Sequence, residues 1–146
     1  MRRTNLALIA LFTTLGMGPV NAGSDDEAMK TFGMLGRMAI NCSATPSREN
    51  PHVVYAVSPQ GGVTRTLIME PDLNGTFVMR NVRLLAPDRL QFQEAGRRSE
   101  FVVTVAKIDG RFRTWQSVQA DGTMLIDNGK FINGGTTSPV FEKCSG

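Results

Sequence analysis

The sequence predicts a mainly β fold, an up-and-down antiparallel β-barrel of about eight strands with one short N-terminal helix. Three observations lead there. Asn74-Gly75, Asp109-Gly110, Asp121-Gly122 and Asn128-Gly129 are dipeptides that tolerate the positive φ of two-residue hairpins. The segments around them are short and either apolar or alternating, the period-two pattern of half-buried strands. No helical crossover separates these segments, so they pair as a meander, and a meander with linked ends closes most simply into a barrel; a two-sheet sandwich is the alternative. At 146 residues the chain holds one domain and is too short for a TIM barrel or a two-domain Rossmann enzyme.

Residues 1–22 read as an export leader. Arg2 and Arg3 form a basic start, Leu6 to Leu15 is largely apolar, and Val20-Asn21-Ala22 is a small-residue cleavage pattern. The apolar run is about ten residues against the roughly 20 needed to span a bilayer, so cleavage after Ala22 is expected. The expectation is one domain over 23–146, periplasmic or secreted, with no membrane span after cleavage.

Ser24 with Glu27 fits a capping box, and Asp25 and Asp26 suit the positive end of a helix. Ala28, Met29, Phe32 and Leu35 repeat at helical spacing until Gly33 and Gly36 end the helix. Strands are expected near Arg37 to Cys42, Val53 to Ser58, Val63 to Glu70, Thr76 to Leu84 and Arg89 to Glu94. Further strands are expected near Ser99 to Ile108, Arg111 to Gln119, Thr123 to Asp127, Lys130 to Ile132 and Val140 to Cys144.

Cys42 and Cys144 flank this strand-rich region, and two cysteines in a small exported domain are expected to form one disulfide, tying the terminal strands together. One histidine and two separated cysteines make no zinc ligand set, and no aspartate-rich calcium loop occurs, so neither metal nor cofactor is expected. Losing Arg2 and Arg3 with the leader leaves 14 basic against 13 acidic residues, a formal charge of +1, so nucleic acid is not an expected partner. No Gly-x-Ser-x-Gly elbow is present, and Gly134-Gly135-Thr136-Thr137 lacks the lysine of a phosphate-binding loop. No catalytic residue is assigned; a pocket gathering His52 with a carboxylate would be the sign of an enzyme.

A tight turn at Asp109-Gly110 sets Ile108 opposite Arg111, and the same register pairs Val105 with Thr114, Val103 with Gln116 and Phe101 with Val118. Carried through the next two turns, it gathers Gln116, Asp127 and Lys130 on the inner face beside Phe101, Val103, Val105 and Val118. That is the candidate ligand site, an apolar wall with three polar groups. The simpler alternative makes Asp127 and Lys130 a rim ion pair, half in water. On the opposite face Trp115, with Arg111 and Arg113, forms either a partner-binding patch, the Arg113 guanidinium covering the ring, or a platform for Met29 and Phe32 of the helix.

The short helix, Gly36 in the first strand, the hairpin meander and the small size resemble the lipocalin and avidin group of ligand-binding barrels. In the stretch Gly36-Arg37-Met38, Met38 stands where lipocalins carry a tryptophan. The chain also resembles small exported bacterial proteins with one early and one terminal cysteine, a likeness that implies no activity. The function expected is an exported binding protein holding a small, largely apolar molecule. The alternative is a cell-envelope interaction or structural protein, with a filled barrel and a surface patch that docks an envelope protein. A hollow interior separates the two.

Overall fold

The computed structural model describes residues 24–145, so the expected leader lies outside the described residues. Helix α1 (Asp25–Phe32) precedes β1 (Gly36–Ala39), β2 (His52–Val57), β3 (Val63–Ile68), β4 (Gly75–Ala86) and β5 (Arg89–Ala95). Then follow β6 (Glu100–Ile108), β7 (Arg111–Gln119), β8 (Met124–Asp127), β9 (Lys130–Phe131) and β10 (Val140–Lys143). These are the strands the alternation predicts, with shifted ends; β1 stops at Ala39 rather than Cys42.

Strands β1 to β7 pair in chain order, and β10 closes the ring against β1 (Met38↔Lys143) and β7 (Phe112↔Phe141). The product is a closed antiparallel barrel of eight strands rather than a sandwich. The β8–β9 hairpin continues the wall along the far half of β7. Cys42 and Cys144 form the disulfide across the β1–β10 seam, with Cα atoms 5.4 Å apart and a sequence separation of 102.

Two of the four turn dipeptides behave as expected. Asp109 and Gly110 have φ of 51° and 74°, Asn128 and Gly129 of 49° and 71°, the paired left-handed conformations of a two-residue hairpin. The other two differ. At Asp121-Gly122 only the glycine has positive φ, and Gln119 N–H donates to Thr123 O at 2.8 Å around a three-residue loop. Asn74 ends a longer turn, accepting from Met69 N–H through Oδ1 at 2.7 Å, and Gly75 opens β4.

Helix α1 plugs one end of the barrel. Met29 and Phe32 are buried with Met34, Val82, Leu90 and Phe112, and Gly33 at φ 81° ends the helix by donating to the Met29 and Lys30 carbonyls. The expected capping box does not form, since Ser24 makes no side-chain cap bond. Instead Asp25 Oδ1 accepts the Val82 N–H at 3.0 Å and fastens the helix to β4. The aromatic beneath the helix is Phe112, edge-on to Phe32 at 5.7 Å, and not Trp115, because alternation along β7 turns Phe112 inward. Lys107 Nζ donates to Phe32 O at 3.2 Å, a cation at the negative end of the helix.

The register of β6 and β7 follows the expectation from the turn as far as Val105↔Thr114 and then shifts. Trp115 is the extra residue of a β-bulge, so Thr104 faces Gln116, Val103 faces Ser117 and Phe101 faces Gln119. At this bulge β7 changes partner from β10 to β8. The two carbonyls there are satisfied by the crossing chains: Ser138 Oγ donates to Thr114 O at 2.7 Å, and Gly129 N–H to Trp115 O at 2.8 Å.

Candidate functional site

Between the helical plug and the opposite end the barrel holds a cavity that is partly open to solvent. The cavity has a volume of about 350 Å³. Alternation along each strand supplies its wall: Val53 and Tyr55 from β2, Arg65 and Leu67 from β3, Phe92 and Glu94 from β5, and Phe101, Val103 and Val105 from β6. Thr114 and Ser117 of β7, Ile126 of β8, Phe131 of β9, Phe141 of β10, and Ser138 and Pro139 just before β10 complete it. A smaller void of about 40 Å³, bounded by Met34, Met38 and Phe112, lies toward the plug and shares Tyr55 and Val105 with the cavity.

One ion pair interrupts the apolar wall. Arg65 Nε and Nη2 each donate to a Glu94 carboxylate oxygen at 2.6 Å, a two-pronged contact. The Glu94 side chain is 7% exposed and that of Arg65 21%, and the guanidinium lies 4.9 Å from the Phe77 ring centre. A charge pair this far from water persists because each partner satisfies the other. Tyr55 opposes Arg65 across β2 and β3. Burial pushes its phenol up to about 12, while Arg65 lowers and Glu94 raises it.

Of the expected site residues, Phe101, Val103 and Val105 line this cavity. Gln116 and Val118 do not, because the bulge at Trp115 turns the far half of β7 over, and Val118 pairs with Val102 and Met124 on the outer face. Gln116, Asp127 and Lys130 do come together, but outside. Gln116 Nε2 donates to Asp127 Oδ1 at 3.4 Å, Asp127 pairs with Lys130 in the β8–β9 register, and Lys130 is exposed.

Trp115 lies half-buried on the outer face, and the guanidinium over its ring is that of Arg89, 4.8 Å away, not of Arg113. Arg111 is exposed; Arg113 is half-buried and its Nε has no hydrogen-bond partner among the described residues. His52 is fully buried outside the cavity and meets a cation rather than a carboxylate. Arg37 Nε donates to its Nδ1 at 2.9 Å, and Nε2 lies 2.9 Å from Ala44 O and 3.0 Å from Asn50 Nδ2.

Sequence reasoning missed Arg65, Glu94 and Tyr55 as cavity residues, although the signal was present. Arg65 shares a strand face with Val63 and Leu67, and Glu94 shares one with Leu90 and Phe92. Two opposite charges on the apolar faces of neighbouring hairpins mark a buried pair. Among the described residues no group of three or more His, Cys, Asp or Glu is placed to hold a metal ion, and no helix is long and apolar enough to cross a membrane. Comparison with family models, curated proteins and solved structures finds no match.

Proposed function

We propose that this chain is an exported binding protein that holds a small, largely apolar molecule inside its barrel. The cavity carries the reading. At about 350 Å³ it falls within the roughly 300–1,000 Å³ of small-molecule sites, and it combines apolar walls with a few convergent polar groups. The alternative, an envelope scaffold with a filled barrel, is the reading that this volume weighs against. The Cys42–Cys144 disulfide supports an oxidising compartment, in keeping with the leader pattern of Arg2, Arg3 and Val20-Asn21-Ala22.

Native mass spectrometry of protein isolated from its own cell tests the proposal. A mass excess that disappears on denaturation is expected. A ligand-free protein that also fails to take up apolar fluorescent probes would overturn it. N-terminal sequencing of the exported form should begin at Gly23, and Met1 retained there would refute the leader.

A further inference from the structure

We infer that the cavity selects an uncharged, mainly apolar molecule with one oxygen-bearing head group, an alcohol, amide or ketone, held by the Tyr55 hydroxyl and the outward side of the Arg65–Glu94 pair. The inference rests on the ligand-binding reading above. Among the residues lining the cavity, the ionisable ones are Tyr55, Arg65 and Glu94. Arg65 and Glu94 neutralise one another through two 2.6 Å hydrogen bonds, so the pair has no net charge to offer. A ligand carboxylate would have to share Arg65 with Glu94, placing two anions together away from water. An ammonium group would have to draw Glu94 from Arg65 and strand the guanidinium. Both leave a buried charge uncompensated, the arrangement proteins avoid most strongly.

A neutral oxygen meets no such penalty. Among the described residues the Arg65 hydrogen bonds to Glu94 use Nε and Nη2, so Nη1 is left to donate. Tyr55 contributes an O–H that burial holds protonated far above neutral pH. Both are donors, which suits a ligand oxygen as acceptor, and the second lone pairs of the Glu94 oxygens can take the hydrogen of an alcohol or amide. Val103, Val105 and Phe92 then face the hydrocarbon body.

The test titrates the disulfide-bonded protein at pH 7 with 1-octanol, octanoate and octylammonium, following displacement of the neutral probe N-phenyl-1-naphthylamine. Octanol should displace the probe, with both charged congeners roughly tenfold or more weaker. Octanoate or octylammonium binding as tightly as octanol would overturn the head-group inference and leave the binding protein standing. So would probe uptake that octanol does not compete. No uptake of the probe and no binding of octanol would remove both.

Glu94→Gln, which leaves Arg65 as an unpaired cation, should shift the preference toward octanoate; an unchanged order counts against the inference. Should that variant not fold, Arg65→Met with Glu94→Leu replaces the pair by apolar groups. It should keep the probe and lose octanol affinity roughly tenfold, and octanol affinity equal to that of the native protein would refute the assignment.

Discussion

Tyr55 is the chain's only tyrosine, so phenolate absorbance at 295 nm reports one group at one place in the barrel. Burial raises it from its ordinary 10.0 to about 12. The folded state therefore holds the proton more tightly than the unfolded state, and the stability this contributes is fully present below pH 10. It is lost as pH rises from 10 through 12. The rise corresponds to about 3 kcal/mol, an upper bound because Tyr55 is half-buried.

Spectrophotometric titration of the native protein should give a midpoint well above that in concentrated urea. Urea melts at pH 9 and pH 11.5 should show the native protein losing more stability across this window than Tyr55→Phe. Every other ionisable group is common to the two proteins, so its effect cancels in the comparison. A phenol that titrates near 10 while the barrel stays folded would refute the burial of Tyr55 and, with it, its availability as a donor in the cavity.

Three other perturbations address the frame. Phe32→Ala removes the plug's contact with Phe112 and should cost about 3–5 kcal/mol in urea unfolding; a cost below about 1 kcal/mol would show that the helix does not seal the barrel. Gly129→Val should destabilise more than Gly110→Val. Both glycines have positive φ, but a Cβ at Gly129 would also meet Arg113 Cδ at 3.1 Å and the Trp115 ring at 3.4 Å, whereas Gly110 faces open space. Equal melting temperatures for the two variants would contradict this packing. Replacing Cys42 and Cys144 by serine should lower stability by about 4–5 kcal/mol in the chain-entropy model, and thiol titration of the denatured, unreduced native protein should find no free thiol.

Most of the barrel was legible because its signals are local. Alternation and turn chemistry act over a few residues: the tight turn at Gly129 set Asp127 opposite Lys130, and the one at Gly110 carried the β6–β7 register correctly through Val105↔Thr114. Trp115 then defeated it. A bulge has no compositional signature, and this one sits where β7 exchanges β10 for β8, a change of partner that local alternation does not report. One extra residue sent Gln116 and Val118 outside and brought Ser117 in. The candidate site was therefore half legible: β6 supplied its wall, while the polar centre escaped because Arg65 and Glu94 are brought together only by the sheet order β3-β4-β5.

The seam that β10 closes has a kinetic consequence. Every pairing from β1 to β7 joins neighbours in the chain and can zip hairpin by hairpin, whereas Met38↔Lys143 must find its partner across nearly the whole strand-bearing region. Cys42 follows β1 by one short loop and Cys144 directly follows β10, so the oxidised chain begins any refolding with that distant encounter already made. Closing the ring then becomes a local search. The oxidised protein should refold faster than the reduced one, by slowing the reduced chain at its final strand while the rates of the early hairpins stay the same.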